Sequence, residues 1–175
     1  AFLTPYLRRM LCNALIQPHF DYACSAWCPN LNKRFKKKIQ ILQNKSIRFC
    51  LSLANRHHIT TADFKMINWL PTKERFEQCV CTSAFKFWNK QSPLYMEDIY
   101  KKMYYIHGTR RAGSRLELPS KSTDLGQKGL SYIAPRLWNE LPPNINFSNN
   151  TNNFKHRLKD DFFSILQHRE DDIYI

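Results

Sequence analysis

Acidic side chains are almost missing from the first third of this chain: residues 1–60 hold ten lysines and arginines against one acid, Asp21. With no local compensation, such a stretch sets up a field that attracts polyanions, nucleic acid first and acidic membrane second. The imbalance then fades. Residues 61–120 hold ten basic side chains against six acids and residues 121–175 hold seven against seven, so the formal net charge of +13 sits mostly at the front. Glycine is scarce as well, at four residues, which argues against a glycine-rich barrel; 14% aromatics and 43% apolar residues argue against a disordered chain. No apolar run approaches the roughly 18–20 residues a membrane span needs, so no membrane partner is expected. The sequence has neither an initiator methionine nor a signal-peptide layout and opens inside an amphipathic helical pattern. The expectation is part of a larger, intracellular protein. Its six cysteines, Cys12, Cys24, Cys28, Cys50, Cys79 and Cys81, are then expected as reduced thiols.

What is present reads as helix. Thr4-Pro5 is a sound helix start, and Leu3, Leu7, Met10/Leu11 and Ala14/Leu15 keep helical spacing up to Pro18. Residues 19–27, "HFDYACSAW", suggest a second short helix. Asn30 is a candidate cap for the next helix, where Leu31, Phe35, Ile39, Leu42 and Phe49 recur at three- to four-residue spacing, with Ser46 filling one gap. This stripe is expected to pack inward. Lys33, Arg34, Lys36, Lys37, Lys38, Lys45 and Arg48 would then emerge on the opposite face, where phosphates can meet them without a burial cost. Lys36-Lys37-Lys38 also matches a short nuclear-localisation run, a pattern equally at home on a solvated helix.

After the polar break "ANRHHITT", Thr60 or Thr61 can cap a short helix ending before "NWLP" (68–71), where Leu70 is expected to be extended ahead of proline. Thr72 is read as the cap of a longer helix carrying Phe76, Val80, Ala84 and Phe87/Trp88. Pro93 is read as the start of another short helix. From His107 the character changes to a glycine-containing loop with Arg110, Arg111 and Arg115, a second candidate phosphate-contacting patch, followed by a strand-like "RLELP". "LWNELPP" (137–143) reads as helix and stop. Thr151 or Asn152 would cap a last amphipathic helix bearing Phe154, Leu158, Phe162 and Ile165/Leu166. Trp69, Trp88 and Trp138, at apolar helical spacing or beside Leu-Pro, read as core anchors; Trp27 is open.

The fold class expected is mainly α, with a bundle-like N-terminal part, a mixed helix and loop C-terminal extension, and at most short strands. By sequence character the chain divides into a basic helical segment (1–56), a helical segment (57–106) and a loop-rich extension (107–175). Zinc is not expected. Cys79-x-Cys81 is too tight for a common knuckle and on a helix points two ways, while Cys24-x3-Cys28 with His19 lacks a fourth ligand. No glycine-rich phosphate loop or nucleophile elbow is present.

Taken in order, "ALIQPHFDYACSAWCPN", "KIQILQNKSIRF", "HHITTADFKMINWLPTKERF", "HGTRRAGSRLELP", "GQKGLSYIAPRLWNELPPNI" and "FKHRLKDDFF" resemble the C-terminal end of a LINE-type non-LTR retrotransposon reverse transcriptase of the Jockey and chicken-repeat groups. The resemblance covers about residues 5 to 165. It implies that residues 1–55 lie at or just after the polymerase thumb, that the partner is RNA or an RNA–DNA duplex, and that the upstream palm of the same polyprotein is a second partner. The catalytic aspartates, with the magnesium they hold, would belong to that palm. No catalytic residue, metal ligand or cofactor is therefore expected in this chain. Asp160-Asp161 and Asp171-Asp172 read as solvated acids. The alternative is a structural or protein-interaction scaffold that packs on the palm or on a host protein; an exposed apolar patch along Leu7, Leu11 and Leu15 would favour it.

Overall fold

The computed structural model describes residues 3–103, 115–146, 148 and 150–168. It is mainly α-helical, as the sequence led us to expect. The chain order is α1 (Pro5–Leu15), α2 (Gln17–Asp21), α3 (Cys24–Trp27), α4 (Lys33–Leu51), α5 (Thr61–Met66), α6 (Thr72–Trp88), α7 (Asp124–Gln127), α8 (Leu130–Glu140), α9 (Pro143–Asn146) and α10 (Thr151–His168). The strand-like "RLELP" contributes only an isolated antiparallel bridge, Leu116 to Lys102. The expected helix after Pro93 is a single 3-10 turn, Leu94–Glu97.

Local signals explain most of the boundaries. Thr4 caps α1 by accepting the Leu7 N–H, with Pro5 at the first helical position. Pro18 does more than stop that helix, since it sits in the first turn of α2. The single helix expected over 19–27 is split at Ala23, whose φ is +47°. The cap of α4 is Asn32, which accepts the Phe35 N–H, and not Asn30. Thr60 and Asp63 form a capping box on α5, each side chain accepting the other's backbone N–H. At α10 the first turn is held by Asn150, whose side chain accepts the Asn153 N–H at 2.7 Å, one residue before the caps expected from sequence.

With so few glycines, helices end on other residues. Ser52, Asn68 and Lys90 all have φ near +60°. Behind each, the next residue's N–H reaches back five positions: Leu53 to the Arg48 carbonyl, Trp69 to Phe64, Gln91 to Lys86. That is the Schellman closure usually given to glycine.

Packing groups the chain into two compact units, one of residues 1–24, 31–76 and 159–175, the other of 25–30 and 77–158. In the first, α1 packs on α2 and α4, and α4 packs on α5. Its core gathers Ile47, Ile59, Phe64, Trp69, Leu70 and Leu166, all buried. Gln43, fully buried on α4, donates to the Leu70 carbonyl at 2.8 Å. Gln40 accepts both the N–H and the hydroxyl of Thr72 at 3.0 and 2.7 Å. Thr72 therefore does not cap α6 as expected; a glutamine from α4 serves its first turn. This pair of amides fixes "WLP" against α4, and Trp69 Nε1–H donates to Asn13 Oδ1 at 2.9 Å.

The second unit is built on aromatic contacts. Phe85 stacks on Phe154 with ring centroids 4.3 Å apart, and Trp138 lies 5.9 Å from Trp88 and 6.1 Å from Phe154. Beside Trp138, the Asn139 amide binds both the N–H and the carbonyl of Leu116, at 2.9 and 2.8 Å. The two Trp-Leu-Pro-like stretches thus serve different cores, and Trp69 and Trp138 are anchors as expected, with Trp88 half-buried between ring and ammonium.

Candidate nucleic-acid interface

Helix α4 has no glycine or proline among its 19 residues, so it carries its side chains in an unbroken helical array. Which face turns inward is set by the buried residues Gln43, Ser46, Ile47 and Cys50. This overturns the expected inward stripe. Phe35, Leu42 and Phe49 are exposed, and Ile39 is half-buried at the edge. The reason is the partner geometry: Leu70 and Thr72 present backbone groups that glutamines satisfy and a leucine could not.

The cations nonetheless emerge. Lys33, Arg34, Lys36, Lys37, Lys38 and Lys45 are all exposed. None of these six cations takes part in the ion pairs seen among the described residues, which include His57–Asp63, Arg75–Asp21, Lys128–Asp124 and Arg136–Glu140. Lys38 lies over the Phe35 ring, 5.5 Å from its centroid. Such a run offers several unneutralised charges along about 18 Å of helix at 1.5 Å per residue, a span that reaches successive phosphates.

Arg48 stands apart. Its guanidinium donates twice to the His57 carbonyl, at 2.9 and 2.8 Å, and its side chain is half-buried, so it ties α4 to the following loop. Of the second patch, Arg115 is half-buried, and its carbonyl accepts the Met103 N–H. Arg110 and Arg111 lie outside the described residues.

The described carboxylates read from the sequence as solvated acids are Asp160 and Asp161, consecutive on α10. Asp160 is exposed and borders an open depression with Lys65, Asn68, Phe163, Ser164 and Gln167. Asp161 is half-buried on α10, and desolvation pushes its carboxyl above the usual range. Asp171 and Asp172 lie outside the described residues. Among the described residues no three His, Cys, Asp or Glu side chains gather as a metal-holding group. Cys81 is buried and Cys79 exposed, as two residues apart on a helix should be. Burial drives the Cys81 thiol far up, and burial together with the neighbouring Cys12 thiol pushes Cys50 up to about 12. These thiols are packing groups at neutral pH. Among the described residues no helix is long and apolar enough to cross a membrane.

No family model matches the chain, and no curated protein or solved structure matches it either.

Besides Arg48, the residues of α4 that the sequence pattern placed wrongly are the apolar ones. Phe35, Leu42 and Phe49 recur every seven residues, and that spacing was legible, but an apolar stripe looks the same whether it meets the chain's own core or something else.

Proposed function

We propose that this chain is a noncatalytic, helical nucleic-acid-binding region that contacts the sugar–phosphate backbone of RNA or an RNA–DNA duplex, the part played by the C-terminal portion of a LINE-type RNA-directed DNA polymerase. The observation that carries this reading is the open cationic array of Lys33, Arg34, Lys36, Lys37, Lys38 and Lys45 on α4, unpaired among the described residues. The resemblance of "NWLP", "SYIAPRLWNELPP" and their flanks supports the placement beside a polymerase. Contacts of this kind act through charge and are largely indifferent to base sequence.

The test is titration of the full chain with single-stranded RNA and with an RNA–DNA duplex at several salt concentrations. Lys33→Glu/Lys37→Glu/Lys45→Glu, all at exposed positions, is expected to weaken both by more than about tenfold at low salt. Affinity unchanged by the triple substitution, or unmoved by ionic strength, overturns the reading.

A second reading has its own observation. Leu7, Leu11 and Leu15 are exposed. This favours a protein-interaction role for α1, as a scaffold packing on the palm or on a host protein.

A further inference from the structure

Helices α1 and α4 share an outward apolar surface that phosphate binding does not use. On α1 only Cys12 is buried. At about 100° per residue, Leu7 lies roughly 140° and Leu11 roughly 100° around the helix from it, and Leu7, Leu11 and Leu15 are 42%, 41% and 64% exposed. On α4 the residues Phe35, Leu42 and Phe49 are 49%, 54% and 46% exposed. Their seven-residue spacing keeps them on one line, drifting only about 20° per repeat. Arg8 joins the two stripes. Its guanidinium sits 5.5 Å from the Phe49 ring centroid and donates to the Phe49 carbonyl and the Ser52 hydroxyl. Exposed apolar side chains on two helices that pack together mark a contact surface.

Charge and period select its occupant. A lipid surface asks for no period, whereas a seven-residue repeat is what a facing helix reads. Lys38 and Lys45, each three residues beyond a member of the α4 stripe, recur at the same seven-residue spacing and border the stripe with positive charge. Flanking positions of that kind choose helical partners by charge. The only acid among residues 1–60, Asp21, is taken by Arg75 through two contacts of 2.5 Å. A second copy would therefore set lysine against lysine. A complementary partner must bring the acids itself.

We propose that the α1–α4 face docks an amphipathic helix of a partner protein whose apolar seam is bordered by glutamate or aspartate. This rests on the scaffold reading and adds to it the chemistry of the partner.

The full chain is titrated, by fluorescence anisotropy, with two helical peptides of about three heptads. They share one leucine seam and differ only in having glutamate or lysine flanks. The glutamate-flanked peptide is expected to bind about tenfold tighter or better than its lysine counterpart. Leu7→Ser/Leu11→Ser and, separately, Leu42→Ser remove that binding while polynucleotide affinity stays within about twofold. These positions are exposed and the substitutions neutral, and unchanged circular dichroism confirms the fold. Equal affinity for both peptides, binding of neither, or binding insensitive to the substitutions overturns the proposal. So does a concentration-dependent dimer abolished by the same substitutions, although that result leaves the scaffold reading standing. Association with phosphatidylcholine–phosphatidylserine vesicles, lost in the same variants, overturns both.

Discussion

Lys90 ends α6 in the left-handed region, with φ +57° and an exposed side chain. A side chain carried there costs about 1 kcal/mol that glycine does not, and the exposed ammonium stem packs on little. Lys90→Gly is therefore expected to stabilise the protein by about 1 kcal/mol in urea unfolding. No change would mean that the closure is not strained. Gln43 makes the opposite case. Its amide is fully buried, bonds the Leu70 carbonyl and accepts from Gln40 at 3.0 Å. Gln43→Ala leaves a buried carbonyl unpaired and opens a cavity, at a cost of about 3 kcal/mol read by the same unfolding measurement. Asp161 gives a pH signature. Its folded-state carboxyl is raised by desolvation, so its favourable contribution is fullest below the ordinary aspartate range and is lost as pH rises through the raised value. Asp161→Asn should accordingly raise the melting temperature at neutral pH and change little near pH 3. A stabilisation that persists in acid would remove this assignment.

At the scale of elements, α4 reconciles two demands. Its inner face is polar where it meets "WLP", through Gln40 and Gln43, and its outer face mixes cations with Phe35, Leu42 and Phe49. The ordinary rule sends the apolar side inward. Here the neighbouring chain offers backbone groups with no helical partner, and two glutamines satisfy them at less cost than burying those groups bare. Helix α10 obeys the ordinary rule. Phe154, Leu158, Phe162 and Leu166 are all buried, with Ile165 left exposed. The periodicity of α10 was therefore legible as a core face, while the equally clear stripe of α4 was not, because a seven-residue repeat says only that something apolar meets it. Thr72 shows the same limit. A threonine before a helix reads as its cap, yet the acceptor comes from Gln40, 32 residues earlier.

For the molecule as a whole, the charge gradient is the feature with the longest reach. If the six exposed cations of α4 all meet phosphates, the logarithm of affinity should fall with the logarithm of salt at a slope of about −4 to −5. The triple glutamate variant should flatten that slope by about 2 or more. Isothermal or anisotropy titrations across salt measure it directly, and a slope near zero would place binding elsewhere. The α1–α4 face responds differently, since its apolar burial is not weakened by added salt, while the preference for glutamate over lysine flanks, carried by Lys38 and Lys45, should shrink as salt screens it. Added salt should therefore remove polynucleotide binding while leaving a residual affinity for both peptides.

Local sequence signals alone account for the helical character of this chain, for where most of its helices run, for Trp69 and Trp138 as core anchors, and for the positive charge on one early helix. Those properties are local: caps, spacing and side-chain type act over a few residues. Long-range packing sets which face of α4 is buried, holds Arg48 on the His57 carbonyl, and leaves the leucines of α1 exposed. Each of those depends on what a distant segment presents, above all the backbone of Leu70 and Thr72 against the glutamines of α4. A helical pattern records its own periodicity and not the identity of the surface it meets.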